Sequence, residues 1–134
     1  MAQIRSKNTA LERRLGELLE ALFPHYTLIS HPADLPGKPD WWIPELRIAV
    51  FADGCFFHMC PQHCVIPVNN REYWEPKLRR NRRRDLATNK ALRAIGGLPV
   101  RIWEHSIEKD TAGVRRKLLR ALRKQLEETR NESQ

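Results

Sequence analysis

The sequence predicts a single domain, residues 1–134, of the α/β (α+β) class, with a mixed sheet and the element order α-β-β-β-α-β-α. The chain has 134 residues and 41% of them are hydrophobic, which is enough for one modest core. Two further observations support this class. Leucines recur at helical spacing in the first and last predicted helices, and short β-branched and aromatic stretches lie between them.

The first helix is predicted at residues 9–22. Thr9 and Glu12 have the spacing of a capping box, with Thr9 as the N-cap and Glu12 at the N3 position. The residues that then recur at helical spacing are Leu11, Leu15, Leu18, Leu19 and Leu22. This pattern indicates an amphipathic helix.

Three short strands follow, and β-branched and aromatic residues place them at residues 26–31, 40–43 and 47–51. Residues 32–39 form a turn-rich connection, and Pro44 with Glu45 suggests a tight turn. Because both connections are short, we predict an antiparallel meander of three strands.

A long irregular loop is predicted at residues 53–70. In a compact domain such a loop usually needs a metal or a function to hold it. The next helix is predicted to start near Pro76, in its N1 position, and to run to Ile95, with Gly96 and Gly97 as its stop.

The last predicted elements are a strand at residues 100–104 and an amphipathic helix at about residues 111–128. The face of this helix that is predicted to meet the core contains Val114, Leu118, Leu119, Leu122 and Leu126. Residues 129–134 should fray, as chain ends often do.

The composition points to a polyanionic partner. The chain carries 24 Lys and Arg against 16 Asp and Glu, a formal net charge of +8. Such a charge favours nucleic acid, although anionic membranes and acidic proteins attract it as well. No run is apolar enough for a membrane span and the N-terminus lacks the apolar core of a signal peptide, so we predict a cytoplasmic protein with no membrane partner.

Three cysteines and two histidines crowd the irregular loop. In a cytosolic protein such a cluster is more typical of metal ligands than of disulfides. Structural zinc takes four nitrogen or sulfur donors, and Cys55, Cys60 and His63 supply three of them. For the fourth, His105 at the end of the last strand is favoured over Cys64, because adjacent residues rarely reach one ion. The alternative is a set of buried free cysteines.

Two acids lie at the ends of neighbouring strands, Asp40 at the start of one and Asp53 at the end of the next. Such strand ends can bring carboxylate oxygens together around a hard cation such as Mg²⁺, and Glu12 on the first helix could join them. Each has a structural alternative. Asp40 and Asp53 could be turn residues, and Glu12 could serve only the capping box.

His58 lies in the same loop but is not among the favoured zinc ligands. Within a loop held by metal it could act as a general base, since a neutral imidazole has a pKa near 6.5. The alternative is that His58 is the fourth zinc ligand.

Aromatic residues lie on and beyond the loop. Phe56, Phe57 and Trp74 could act as a wedge that opens a duplex, whereas core filling is the ordinary role of each ring. Residues 77–85 carry six cations in nine positions. Several of these are expected to contact DNA phosphates, namely Lys77, Arg79, Arg80 and Arg83.

The sequence resembles a known family, the very short patch repair endonucleases, or Vsr proteins, of bacterial DNA mismatch repair. The matching segments are AQIRSKNTALE (2–12), LPGKPDWWI (35–43), AVFADGCFFHMCPQH (49–63), NREYWEPKLRRNRRRD (70–85) and VRIWEH (100–105). Together they span nearly the whole chain.

This resemblance implies a restriction-endonuclease-like PD-(D/E)xK core, which agrees with the predicted element order. It also implies an enzyme that nicks one strand of DNA beside a T:G mismatch, with catalytic Mg²⁺ and structural Zn²⁺. The implied partners are double-stranded DNA with that mismatch and a mismatch-repair factor such as MutL. The protein itself would act as a monomer.

The resemblance also implies roles for individual residues. By position, Asp40 would ligate the magnesium and His58 would activate the attacking water. Glu12 would support the metal and its waters, and Asp53 would bind metal or water at one remove. Asp85 would orient the catalytic histidine.

The recognition and zinc residues are implied in the same way. Phe56, Phe57 and Trp74 match aromatics that intercalate beside the mismatch. The implied zinc ligands are Cys55, Cys60, His63 and His105, the last of which stands where the family usually has cysteine. A segment that helps to clamp DNA in longer members is expected to be short or missing at the N-terminus.

Two other functions remain open from the sequence. One is a restriction-like or structure-specific nuclease without mismatch preference. The other is a zinc-stabilised DNA-binding module without activity, in which the acids are structural. Both nuclease interpretations require Asp40 and His58 for cleavage, and the binding module does not.

Overall fold

A computed structural model describes residues 9–55, 59–61 and 64–132. Its eight elements, in chain order, are helix α1 (Thr9–Leu22), strands β1 (Ile29–Ser30), β2 (Trp41–Ile43) and β3 (Ile48–Asp53), helix α2 (Arg71–Ala94), strand β4 (Leu98–Trp103) and helices α3 (Glu104–Lys109) and α4 (Thr111–Glu132). No helix within these residues is both long and apolar enough to span a membrane.

The sheet is mixed and has the strand order β1-β2-β3-β4. The first three strands are antiparallel, with Trp41 opposite Val50, which confirms the predicted meander. Strand β4 is parallel to β3, with Val100 opposite Val50. Because parallel neighbours need a crossover connection, α2 carries the chain across the sheet between them.

The two faces of the sheet pack against different helices. Ile48 and Val50 of β3 belong to the main core, together with residues of α1, α3 and α4. Ala49 and Phe51 point to the other face and pack with Leu92 of α2. Successive side chains of a strand point to opposite faces of the sheet, and helices cover both faces at β3. This explains why β3 is almost continuously apolar.

Helix α1 follows the sequence prediction, with Leu11, Leu15 and Leu19 buried. The prediction that Pro76 starts the second helix is wrong, because α2 begins at Arg71 and contains Pro76. The Asn70 backbone is left-handed, with φ 68°, and its carbonyl accepts bonds from the N–H groups of Tyr73 and Trp74. These contacts initiate the helix, which tolerates a proline that removes a single N–H donor near its start.

The C-terminal elements also differ from the prediction. The short helix α3 follows β4 directly, and α4 continues to Glu132. Leu126, predicted to face the core, is 42% exposed, and the buried residues of α4 are Val114, Leu118, Ala121 and Gln125. A glutamine fits this buried face because its side-chain Nε2 donates to the Leu46 carbonyl at 2.8 Å, which satisfies the polar group.

Candidate active site and metal-binding loop

The backbone holds Asp40 firmly at the end of the sheet. Its N–H donates to the Val50 carbonyl at 2.9 Å, and its side-chain Oδ2 accepts a 2.7 Å bond from the Ala52 N–H. Both partners belong to β3, so Asp40 continues the pairing of β2 beyond Trp41. The residue is only 3% exposed. Its carboxylate therefore has a fixed direction and little contact with solvent.

Glu12 and His31 meet Asp40 from two other elements. One donor atom from each of the three side chains lies within 4.8 Å of the other two. Glu12 reaches the group from α1, and its Oε1 lies 3.1 Å from His31 Nε2. The site is buried at Asp40 and opens to solvent at His31, whose side chain is 59% exposed.

Sequence reasoning missed His31, although strand register contains the signal. Ser30 pairs with Trp41, so the next residue along β1 meets the residue before β2. The His31 N–H accordingly donates to the Asp40 carbonyl at 3.0 Å. Once a meander is assumed, the residue opposite a candidate catalytic acid becomes a candidate for the site as well.

A close helix–strand approach brings Glu12 near Asp40. A Cβ on Gly16, one turn after Glu12, would lie 2.6 Å from Cζ2 of Trp41, the residue after Asp40. Only glycine leaves room for α1 to lie this close to the indole ring. The carboxylates of Glu12 and Asp40 thus depend on the same packing contact.

The structure places Asp53 in a different group of side chains. Arg101 Nη1 lies 3.1 and 3.2 Å from the two Asp53 carboxylate oxygens and 3.8 Å from Oδ1 of Asp85. The guanidinium also stacks over Phe51, 4.0 Å from the ring centroid. Arg101 was not singled out from the sequence.

Strand alternation accounts for this separation. Asp53 follows Phe51 by two positions and so points to the α2 face of the sheet. Among the described residues, the donors grouped around Asp40 are Glu12 and His31 and do not include Asp53. A role for Asp53 in binding metal or water stays a prediction.

The irregular loop and the start of α3 bring together three of the predicted zinc ligands. His105 Nδ1 lies 3.3 Å from Cys55 Sγ and 3.7 Å from Cys60 Sγ. Tetrahedral zinc with ordinary bonds to sulfur and nitrogen separates such atoms by about 3.6 Å. Two thiols and an imidazole at these distances therefore fit a structural zinc site.

Hydrogen bonds from backbone N–H groups hold the irregular loop together and attach it to α3. The Cys55 N–H donates to Glu104 Oε1 at 2.8 Å, and the Cys60 N–H donates to the Cys55 carbonyl, also at 2.8 Å. Burial raises the pKa of the Cys55 thiol to about 11, and neighbouring Cys60 adds to the rise, against an opposing hydrogen bond with the His105 backbone. A metal ion would have to displace this thiol proton, which couples metal binding to proton release.

The remaining candidates for this loop divide into two groups. His58, His63, Phe56 and Phe57 lie outside the described residues. Cys64 is described, and its N–H donates to the Cys60 carbonyl at 3.1 Å. Within the described part of the chain, the three-donor group contains Cys55, Cys60 and His105 but not Cys64.

The start of α2 combines aromatic rings with cations. Trp74 is half-buried, and its ring lies edge-on to that of Tyr73 with centroids 5.1 Å apart. Lys77 Nζ lies 5.5 Å from the Tyr73 centroid and 5.6 Å from that of Trp74. Further along the helix, Arg79, Arg80 and Arg83 are exposed. The first half of α2 thus presents two aromatic rings beside a row of positive charges.

Comparison with known proteins identifies the family. The model of DNA mismatch endonuclease Vsr matches residues 1–65. The type II nicking enzyme V.XorIIP of Xanthomonas oryzae pv. oryzae is 38% identical over 107 residues, which cover 78% of this chain and 76% of the relative. The chain belongs to the Vsr family.

Two further relatives support membership of the Vsr family. The DNA mismatch endonuclease Vsr of Escherichia coli K12 is 33% identical over 107 residues, which cover 78% of this chain and 66% of the relative. The type II nicking enzyme V.NaeI of Lentzea aerocolonigenes is 48% identical over 68 residues, 51% of this chain. This last alignment spans only 41% of the relative's own length.

Proposed function

We propose that this Vsr-family protein is a Mg²⁺-dependent endonuclease that nicks one strand of duplex DNA next to a T:G mismatch. The observation that carries the proposal is the pairing of Asp40 with Glu12 at the end of the sheet. Two convergent carboxylates fit a hard divalent cation, which prefers oxygen ligands. Action as a monomer and recruitment by a mismatch-repair factor such as MutL belong to the same proposal.

Asp40 and Glu12 would hold the cation. A divalent ion bound there polarises a phosphodiester and lowers the pKa of a bound water. The Ala52 N–H keeps the Asp40 carboxylate aimed at this position. Because Asp40 is almost completely buried, the electrostatic effect of a bound charge would be screened little by solvent.

His58 would remove a proton from the attacking water, and Asp85 would orient its imidazole. Arg101 would support this role, since its Nη1 lies 3.8 Å from Asp85 Oδ1 and its guanidinium is also bound by Asp53 and by Asn89, whose Oδ1 accepts a 2.8 Å bond from Arg101 Nε. A guanidinium held in this way fixes the direction of both acids.

Mismatch recognition would come from Phe56, Phe57 and Trp74 acting as a wedge. Separating stacked bases costs about a few kcal/mol per step, and the cost is least at a mismatch. Selectivity would thus begin with the stability of the base pair. A zinc ion on Cys55, Cys60, His63 and His105 would hold the loop that carries the two phenylalanines and His58.

DNA affinity is expected to fall steeply as salt concentration rises, because bound phosphates release counterions. Replacing Arg79 or Arg83 by glutamine should reduce the slope of log K against log [salt] by about 0.9 for each lost contact. Fluorescence anisotropy of a labelled duplex between low and moderate salt measures this slope. Arg130, exposed near the end of α4, provides a charge-matched control whose replacement should leave the slope unchanged. An affinity independent of salt would contradict the phosphate contacts.

The mismatch preference can be tested with duplexes that differ in one base pair. We expect single-strand nicks in the T:G duplex, only with a divalent cation present, and much slower cleavage of the T:A and C:G duplexes. Equal cleavage of all three would favour a nuclease without mismatch preference. Binding without cleavage of any duplex would favour the inactive DNA-binding module.

A further inference from the structure

His31 is the third member of the group around Asp40, and neither the expected chemistry nor the resemblance to the Vsr family gives it a role. We propose that His31 is a protein ligand of the cation site, so that this site binds Mn²⁺ more tightly than Mg²⁺. This inference rests on the proposed function, because it concerns the cation that Asp40 and Glu12 would hold. It adds a nitrogen ligand and a metal preference to that site.

The distances suit one shared ion. Adjacent ligands of an octahedral cation with bonds of about 2.1 Å lie about 3 Å apart, and opposite ligands lie about 4.2 Å apart. His31 Nε2 and Glu12 Oε1 are separated by 3.1 Å, and all three donor atoms lie within 4.8 Å of one another. Each of the three side chains can therefore contribute one ligand from a different side.

The backbone positions His31 for this role. Its φ of 48° lies in the left-handed region, which residues other than glycine rarely adopt. The bond from its N–H to the Asp40 carbonyl fixes this conformation at the end of β1. Such unusual backbone conformations are concentrated at functional sites. Pro32 follows directly, and its ring restricts the backbone further.

The chemistry of the three donors leads to the metal preference. Mg²⁺ binds oxygen almost exclusively and retains several water molecules. First-row transition ions accept imidazole nitrogen more readily, so His31 should favour Mn²⁺ over Mg²⁺. Mn²⁺ also stands lowest in the affinity series of these ions, and it should leave zinc in the cysteine loop undisturbed.

The test uses full-length, zinc-containing protein, with Mn²⁺ and Mg²⁺ titrated separately by calorimetry. We expect His31→Gln to weaken Mn²⁺ binding by at least about tenfold and to change Mg²⁺ binding little. Electron spin echo modulation of bound Mn²⁺ should show a coordinated imidazole nitrogen in the native protein. That signal should disappear in His31→Gln.

His25→Gln is the matched control. His25 is an exposed histidine just after the C-terminal end of α1, whereas Glu12 lies near the start of that helix, so this variant should bind Mn²⁺ with native affinity. Native Mn²⁺ affinity in His31→Gln, or no nitrogen signal in the native protein, would overturn the proposal. Asp40→Asn separates this failure from failure of the proposed function, because it should remove binding of both ions. If the native protein nicks DNA and Asp40→Asn loses both ions while His31→Gln matches native, only the His31 inference is wrong.

Discussion

Asp40→Asn should reduce nicking by at least about 10³-fold, equivalent to about 4 kcal/mol of transition-state stabilisation. The amide removes the negative charge that would hold the cation. Its Oδ1 can still accept the bond from the Ala52 N–H, so the end of the sheet should keep its structure. The measurement is the initial rate of single-strand nicking of a T:G duplex, with circular dichroism and zinc content as checks on folding.

Two companion variants make this result specific. Asp34→Asn alters an exposed acid in the same connection between β1 and β2, and it should nick at the native rate. His58→Ala should lose about 10²–10⁴-fold in rate while Mg²⁺ binding remains, because a general base acts on the proton and not on the cation. Native activity in Asp40→Asn would remove the basis for a carboxylate-held catalytic ion.

Cys60→Ala should release the zinc and destabilise the protein by about 4 kcal/mol or more, a loss typical of a missing metal site. Cys60 is 2% exposed, and its Sγ lies 3.7 Å from His105 Nδ1, so no solvent ligand can easily replace it. Elemental analysis of the purified variant and its thermal midpoint measure the two effects. We expect about one zinc per native chain and none in Cys60→Ala.

Cys64→Ser is the matched control for this loss. Its thiol lies in the same loop but outside the group formed by Cys55, Cys60 and His105 among the described residues. Zinc content and thermal midpoint should both remain near native. A fully folded native protein without zinc, or a Cys60→Ala variant that keeps it, would show that these cysteines do not form a zinc site.

Local patterns predicted the framework well. The leucine spacing of α1 and the short connections of the meander are dictated by neighbouring residues, and both appear in the structure. The start of α2 and the buried face of α4 depend on contacts that a local pattern does not contain. Asn70 begins α2 through its left-handed backbone, and Gln125 can be buried because it donates to the Leu46 carbonyl, which is far away in sequence.

The candidate site shows the same division. Residue type alone marked Asp40, Glu12 and the cysteines as candidates, because acids and thiols suggest specific chemistry. Arg101 and His31 could be recognised as members of these side-chain groups only once strand pairing and sheet faces were known. Arg101 reaches Asp53 across the β3–β4 pair, and His31 meets Asp40 across the β1–β2 pair. A lone arginine or histidine in a strand sequence gives no such indication.

The contact between Cys55 and His105 has a consequence for the unfolded chain. The two residues are 50 positions apart in sequence, and α2 and β4 lie between them. An ion bound to both would close this segment into a ring. For a covalent cross-link, a ring of that size lowers the entropy of the denatured chain by an equivalent of about 4 kcal/mol. Zinc would thus act as a reversible tether, and its release would lower the stability of the fold by giving this entropy back to the denatured chain.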